Sequence, residues 1–211
     1  QVKVSVIQDA KNAVVSNNGG NYQVEASTLN KNYKSIVVNA YTAHHAGLIG
    51  SSKVSCVPSA TSPGTLLLPP YNTERSPVGI EINRVTNALP ILVGETDQSN
   101  NTFDNLDIGV MCNRSNVLIR NNTFQNIQTA GAQVATAAIY ANGNPFFPLL
   151  HPIYNITVGG YGANDPNTFT NCLTGVYTTT NLNVNVYANT FYRITQYGVH
   201  CQAGNLGNTI N

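Results

Sequence analysis

Two aspartates, Asp104 and Asp107, have the spacing best suited to acid–base chemistry in this sequence. They are three residues apart across an expected bend of the chain, where their carboxyl groups can approach each other with Arg114 or Arg120 nearby. Hydrolysis of a glycosidic bond uses two carboxyl groups about 5 to 9.5 Å apart. The catalytic candidates in this sequence are therefore Asp104 and Asp107.

Ionisable side chains are scarce in the rest of the chain. Only nine of the 211 residues are Asp or Glu and ten are Lys or Arg. Charged residues thus make up 9% of the chain, where roughly 25% is usual. The formal net charge of +1 gives no electrostatic footprint for nucleic acid or an anionic membrane surface. The scarcity of carboxylates argues against an enzyme, and we expect no cofactor.

Metal and thiol chemistry have little support in the sequence. His44 and His45 are adjacent, so on a strand they point to opposite faces, and no carboxylate cluster accompanies them. The four cysteines, Cys56, Cys112, Cys172 and Cys201, have no CxxC spacing. Those that align with core positions of the coils, Cys112, Cys172 and Cys201, are interpreted as small core residues, and a Cys112–Cys201 disulfide would have to span several coils. We therefore predict no metal site and no disulfide.

The tripeptide Asn-Thr-Phe occurs four times and predicts the fold. Its copies start 21, 45 and 22 residues apart, at Asn101, Asn122, Asn167 and Asn189. Such a period, with one interval stretched by insertions, is typical of a solenoid. Each copy is followed by a strand of Gly-Val type and then by a third short strand. Three short strands per turn, joined by bends rich in Asn and Gly, predict a parallel β-helix.

Strand alternation separates inward from outward positions in each coil. The phenylalanine of the repeat points inward, as does the Val or Ile of the following strand. The next residue points outward, which gives one stripe along the solenoid: Glu81, Met111, Tyr140, Tyr177 and His200. Its two ionisable residues are four coils apart, about 19 Å at ~4.8 Å per coil, so they cannot act on one bond.

The outward stripe contains the candidate ligand-binding residues, Met111, Tyr140, Tyr177 and His200. Aromatic side chains in a row can stack on sugar rings while neighbouring Asn and Thr side chains bind hydroxyl groups. The alternative explanation is that tyrosine has a high strand propensity. Asparagines recur at the bends, where stacked carboxamides can form ladders: Asn105, Asn126 and Asn171, and also Asn83, Asn113 and Asn142.

The unit Gly-Val-x-x-Asn…Val-x-Ile-x-Asn-Asn-Thr-Phe-x-Asn-Ile resembles the right-handed parallel β-helix repeats of pectate-lyase-like proteins, over roughly residues 78–211. This resemblance implies right-handed coils, in agreement with the handedness of parallel crossovers. It also implies that a lyase of this family would place a calcium-binding acidic cluster beside an arginine. No such cluster is apparent, and the Asp-Asp, His-Gly and Arg-x-Lys signatures of the polygalacturonase branch are missing. No catalytic residue is therefore carried over from the family.

We expect an all-β chain, a right-handed parallel β-helix of about five to seven coils. Residues 1–75 are predicted to form irregular N-terminal coils or a cap, and residues 76–211 the repeats, truncated at the C-terminus. No stretch approaches the ~20 apolar residues of a membrane span. The neutral, hydrogen-bonding surface is typical of exported proteins, so an extracellular or cell-surface location is expected.

The sequence therefore favours a non-catalytic segment of a larger secreted or cell-surface protein that binds carbohydrate. Two alternatives remain open at this point. One is a fragment of a polysaccharide lyase or glycoside hydrolase that uses Asp104 or Asp107. The other is a structural spacer or adhesin stalk. The expected partner is a polysaccharide or glycan, and the oligomeric state is left open.

Overall fold

A computed structural model describes most of the chain. It covers residues 1–18, 23–40, 48–50, 52–56, 67–72, 75–86, 89–94, 100–128, 136–143, 154–163, 165–180, 182–202 and 207–210. Regular secondary structure in this part of the chain consists of short strands. No helix long and apolar enough to cross a membrane occurs among the described residues.

The strands follow one another in coils of three. The first three coils hold β1 (Val2–Lys3), β2 (Val6–Gln8) and β3 (Asn12–Asn17); β4 (Gln23–Glu25), β5 (Thr28–Asn30) and β6 (Lys34–Asn39); and β7 (Leu48–Gly50), β8 (Lys53–Ser55) and β9 (Ser76–Asn83). The next two hold β10 (Ile91–Val93), β11 (Asn101–Asp104) and β12 (Leu106–Asn113); and β13 (Val117–Ile119), β14 (Asn122–Gln125) and β15 (Ala137–Asn142). The last strands are β16 (Tyr154–Gly159), β17 (Thr168–Thr170) and β18 (Thr174–Thr179); β19 (Leu182–Tyr187), β20 (Thr190–Tyr192) and β21 (Tyr197–Cys201); and β22 (Gly207–Ile210).

Equivalent strands of successive coils pair in parallel and build three sheets. Sheet A contains the first strand of each coil, from β1 to β22, sheet B the second, from β2 to β20, and sheet C the third, from β3 to β21. The chain is thus a right-handed parallel β-helix, which confirms the predicted fold class. Strands β1–β8 belong to the same three sheets as the later coils. The division of the chain at residue 75 stays a prediction.

A column of phenylalanine rings fills the interior, as the repeat predicts. Phe103, Phe124, Phe169 and Phe191 stack nearly parallel, with ring centroids 4.7 to 5.1 Å apart. The glycine of the Gly-Val strand leaves room for these rings. A Cβ atom at Gly109 would lie 2.6 Å from the carbonyl oxygen of Ala138 and 2.8 Å from the ring of Phe124. The Gly and Phe positions of the repeat therefore depend on each other.

A left-handed residue recurs at all three corners of the coil. Between sheets B and C, Asn105, Asn126 and Asn171 have φ of 56°, 55° and 54°, in line with the tolerance of Asn for this conformation. Between sheets C and A the equivalent positions are Arg84 and Arg114, with φ of 57° and 51°. The sequence pattern indicated bends at both corners, but at the second the left-handed residue is the arginine that follows the predicted asparagine.

The asparagine of each Asn-Thr-Phe repeat forms a buried ladder inside the solenoid. Asn101 Nδ2 donates to Asn122 Oδ1 at 2.8 Å, Asn122 Nδ2 to Asn167 Oδ1 at 2.9 Å and Asn167 Nδ2 to Asn189 Oδ1 at 2.9 Å. Each carboxamide also donates to a backbone carbonyl in the sheet A strand of the previous coil, for example Asn101 to Ile49 at 2.9 Å. The ladder therefore joins the coils and satisfies carbonyl groups where the chain turns.

The ladder predicted at Asn105, Asn126 and Asn171 forms only in part. Asn171 Nδ2 donates to Asn126 Oδ1 at 2.7 Å, as expected. Asn126 Nδ2, however, donates to Asp104 Oδ1 at 2.8 Å, and Asn105 Nδ2 donates to the carbonyl of Cys56 at 2.7 Å. The carboxylate of Asp104 thus takes the place of the next carboxamide, because an ionised oxygen is the stronger acceptor.

All four cysteines are free thiols, and only Cys201 is partly exposed. Burial raises the pKa of Cys112, and it raises the pKa of Cys172 to about 11 despite hydrogen bonds to backbone groups that lower it. Burial is also the main cause of the raised pKa of Cys56. Since the thiolate is the reactive form, these three thiols are expected to be inert in the folded protein.

A thiol-reactive disulfide reagent tests this expectation. In the native protein we expect at most one thiol to react within minutes, and all four to react after denaturation in guanidinium. A Cys201→Ser variant should lose the fast reaction and keep three slow thiols. Rapid reaction of two or more native thiols would show that the coil interior is accessible to the reagent.

Candidate ligand-binding face

The predicted outward stripe is a continuous column on the outer face of sheet C. The backbone register pairs Glu81 with Met111, Met111 with Tyr140, Tyr140 with Tyr177, and Tyr177 with His200. Met111, Tyr140, Tyr177 and His200 are all partly exposed. We call these four residues the aromatic column. The structure brings together all four candidate ligand-binding residues named from the sequence.

The tyrosine rings of the aromatic column stack on each other. The centroids of Tyr140 and Tyr177 are 5.8 Å apart and the ring planes differ by 11°. His200 meets Tyr177 edge-on at 4.8 Å and also contacts Tyr197 at 4.6 Å. Mutual stacking covers one face of each tyrosine, so ring edges and hydroxyl groups are the more accessible features. The stacking of sugar rings on this row of aromatic side chains stays a prediction.

Polar atoms at the C-terminal end of the column are only partly satisfied. The hydroxyl of Tyr177 and Gln202 Oε1 lie 3.1 Å apart in a hydrogen bond. His200 Nδ1 is shielded from solvent and has no hydrogen-bond partner within the described part of the chain. At the other end, Glu81 forms an ion pair with Lys34 and accepts a hydrogen bond from Asn83 Nδ2 at 2.9 Å.

A second column of side chains follows the aromatic column two residues later on the same strands. Its amides form a surface ladder: Asn39 Nδ2 donates to Asn17 Oδ1 at 2.9 Å, Asn83 Nδ2 to Asn39 Oδ1 at 2.9 Å and Asn113 Nδ2 to Asn83 Oδ1 at 2.8 Å. Register extends the column to Asn142 and Thr179, whose hydroxyl donates to Asn142 Oδ1 at 3.2 Å. We call this the carboxamide column. It includes the predicted ladder positions Asn83, Asn113 and Asn142.

A groove of about 510 Å³ runs along the carboxamide column. It is lined by the amides and by the left-handed corner residues that follow them: Asn39, Ala40, Asn83, Arg84, Asn113, Arg114 and Asn142. Arg84 and Arg114 occupy the same position on consecutive coils, because Asn83 pairs with Asn113. Among the described residues, no carboxylate lines the groove. The outer face of sheet C therefore combines an aromatic column, a carboxamide column and two cations.

The catalytic candidates from the sequence are held in structural contacts. Asp104 accepts a hydrogen bond from Asn126 Nδ2 at 2.8 Å. Asp107 pairs with Arg75, whose Nε donates to Asp107 Oδ1 at 3.0 Å. Partial burial raises the pKa of Asp107, and the hydrogen bond and charge of Arg75 oppose this rise. The arginine beside Asp107 is thus Arg75, and neither arginine that the sequence suggested takes this place.

The two arginines expected near the aspartates lie in other parts of the coil. Arg120 is next to Asp165, with Nη1 and Oδ1 3.6 Å apart, and Arg114 lines the groove. No group of three or more His, Cys, Asp or Glu side chains in metal-binding proximity occurs among the described residues. His44, His45 and residues 144–153, which include Phe146 and Phe147, lie outside the described part of the chain.

Sequence reasoning missed the groove, although a signal for it exists. The dipeptide Asn-Arg occurs twice, at Asn83-Arg84 and Asn113-Arg114, each at the end of a Gly-Val type strand. Alignment of the strands places both dipeptides at the same corner. The left-handed conformation of the arginine at this corner was not apparent from the residue type.

These features define the class of protein: a solenoid of the right-handed parallel β-helix type, with asparagine ladders and a polar groove beside an aromatic column. Comparison of the chain with protein-family models, with curated proteins and with solved structures found no significant match. The function is therefore inferred from the geometry of this face.

Proposed function

We propose that the chain is a carbohydrate-binding segment of an exported or cell-surface protein, and that the outer face of sheet C is its binding surface. One observation carries the proposal: the aromatic column and the carboxamide column run side by side along several coils. Assignment to the pectate-lyase-like superfamily is part of the proposal. It is supported by the three parallel sheets and the asparagine ladders.

The chemistry of the two columns suits a polyhydroxylated ligand. Sugar rings combine apolar C–H patches with hydroxyl groups, and sites for them combine aromatic surface with a few directed polar groups. Residues two apart on a strand are about 7 Å apart, so a sugar unit can contact both columns together. The repeat of ~4.8 Å from coil to coil extends these contacts along the axis and favours a chain over a small molecule.

Catalysis is the less favoured function of this chain. The carboxylates of Asp104 and Asp107 are engaged by Asn126 and Arg75, and both residues lie away from the groove. A structural spacer would use the same ladders and needs no ligand. We prefer the binding function because strand propensity, which explains the tyrosines of a spacer, does not require their alignment beside the carboxamide column.

Substitution of the aromatic column tests the proposal. A glycan array with wild-type protein selects the ligand, and titration with that oligosaccharide compares Tyr140→Ala and Tyr177→Ala. We expect each to raise Kd by about tenfold, the equivalent of about 1.4 kcal/mol. Tyr192→Ala is the matched control, because Tyr192 is 54% exposed on sheet B and should leave Kd within about twofold.

A phenylalanine variant separates the contribution of the ring from that of the hydroxyl. Because the rings cover each other, we expect Tyr140→Phe to weaken binding nearly as much as Tyr140→Ala. An array without any bound glycan, or unchanged Kd in both alanine variants, would overturn the proposal and favour the spacer. Release of reducing or unsaturated sugars from a polysaccharide, abolished by Asp104→Ala or Asp107→Asn, would favour the enzyme.

A further inference from the structure

Arg84 and Arg114 form a pair of cations at one corner of consecutive coils. Their backbone N–H groups donate to the carbonyls of Asn113 and Asn142, each at 2.8 Å, so the two positions are fixed in register. Consecutive coils are ~4.8 Å apart. The two guanidinium groups on these neighbouring coils carry the same charge. They are close enough for a single small ligand to contact both.

No carboxylate of the described residues forms an ion pair with this arginine pair. Four acidic side chains are paired with other cations: Glu25 with Lys3, Glu81 with Lys34, Asp107 with Arg75 and Asp165 with Arg120. The groove walls between the arginines consist of neutral carboxamides. In a chain with so few charges, two arginines and no carboxylate among the described residues of the groove distinguish this part of the surface.

We propose that the groove is an anion-binding site that takes one carboxylate or sulfate group of a larger ligand. Arg84 and Arg114 would donate charge-assisted hydrogen bonds to its oxygens, the geometry for which guanidinium groups are well suited. Asn83 and Asn113 line the groove beside them. The volume of about 510 Å³ exceeds that of the anionic group alone and leaves room for the unit that carries it.

The position of the groove indicates which ligand brings the anion. Asn113 follows Met111 by two residues on the same strand, so the groove adjoins the aromatic column. A glycan on that column would place an acidic substituent between the arginines. The anion site itself does not depend on the proposed function, whereas its assignment to an acidic glycan does rest on it.

Titration with three probes tests the anion site. The probes are sodium sulfate, a sulfated or uronate oligosaccharide, and a neutral oligosaccharide of the same length, each followed by backbone amide NMR shifts and calorimetry. We expect sulfate to shift the amides of residues 83–84 and 113–114. We expect Arg84→Gln and Arg114→Gln each to weaken binding of the acidic oligosaccharide by about tenfold, and the double variant by about a hundredfold.

Arg193→Gln is the matched control. Arg193 is an exposed arginine with φ of 55° at another corner, and its loss should change binding by less than about twofold. Sulfate binding of equal strength in wild type and the double variant would overturn the anion site. Sulfate binding at the groove without binding of either acidic oligosaccharide would overturn its assignment to a glycan. Binding of the acidic oligosaccharide that is weakened in the tyrosine variants but unchanged in Arg84→Gln and Arg114→Gln would mark a failure of this inference and leave the proposed function intact.

Discussion

Replacement of Asn122 by alanine is expected to lower the free energy of unfolding by about 2 to 5 kcal/mol. Asn122 is 2% exposed and is a central member of the buried ladder. Its Nδ2 donates to the carbonyls of Val93 and Arg120 and to Asn167 Oδ1, at 3.0, 2.8 and 2.9 Å, and its Oδ1 accepts from Asn101. Alanine leaves a donor of Asn101 and the carbonyl of Arg120 without these partners in the interior. Each such group costs about 1 to 3 kcal/mol.

Urea unfolding followed by far-ultraviolet circular dichroism measures this loss. Asn155→Ala is the matched control, because Asn155 belongs to an exposed pair in which Asn183 donates to its Oδ1 at 3.1 Å. Its effect should stay within about 0.5 kcal/mol. Asn122→Ser should fall between the two, since serine fills the same column in earlier coils, where Ser52 Oγ accepts from the backbone of Ser27 at 3.3 Å. Equal effects of Asn122→Ala and Asn155→Ala would contradict the role given to the buried ladder.

Serine in this column also explains why the N-terminal coils are hard to recognise from sequence. In register with Phe103 lie Val54, Leu29 and Ile7, so the large aromatic of the repeat becomes aliphatic. The polar column likewise changes from asparagine to Ser52 and Ser27. Strand pairing and core packing tolerate these changes. Each coil needs one polar side chain in the ladder column and one apolar side chain in the column of Phe103. The Asn-Thr-Phe sequence repeat is therefore lost in the N-terminal coils, although the polar and apolar columns of the structure continue there.

The part of the candidate site that follows from strand alternation, the aromatic column, could be predicted from the sequence. Tyr140 and Tyr177 follow inward Ile139 and Val176 directly, so their outward direction and their register come from the repeat alone. The mutual stacking of their rings depends on side-chain rotamers, which the sequence does not specify. The groove depends on the left-handed corner at Arg84 and Arg114, and arginine carries no preference for that conformation. The groove could therefore not be predicted from the sequence, because it is formed by corner residues whose conformation their type does not indicate.

Arg75 illustrates a further limit of the sequence pattern. An inserted segment separates β8 from β9, which hides the position of Arg75 on the coil. The structure places its guanidinium against two later coils. Nε donates to Asp107 Oδ1 at 3.0 Å and Nη2 donates to the carbonyl of Asn126 at 2.8 Å, with further bonds to Asn105 Oδ1 and the carbonyl of Leu106. The side chain is only 16% exposed.

Replacement of Arg75 by methionine should therefore lower the free energy of unfolding at neutral pH by about 2 to 4 kcal/mol. Methionine keeps much of the apolar stem but removes the charge and all donors. The half-buried carboxylate of Asp107 then lacks its counter-ion, and two backbone carbonyls lose a donor. Arg193→Met, at an exposed corner, is the control and should change stability by less than about 0.5 kcal/mol.

The pH dependence of this loss identifies Asp107 as its main source. Burial raises the pKa of Asp107 and Arg75 opposes the rise, so in Arg75→Met the pKa of the folded state should rise further. A carboxyl group with a raised folded pKa destabilises the protein when ionised, and this cost disappears as the pH falls through that pKa. The difference in the free energy of unfolding between wild type and Arg75→Met should thus be largest at neutral pH. It should decrease as the pH falls through the raised pKa of Asp107. The additional change Asp107→Asn should restore part of the loss at neutral pH and remove this pH dependence. Parallel pH profiles of wild type and Arg75→Met would instead place the loss in the hydrogen bonds to the carbonyl groups.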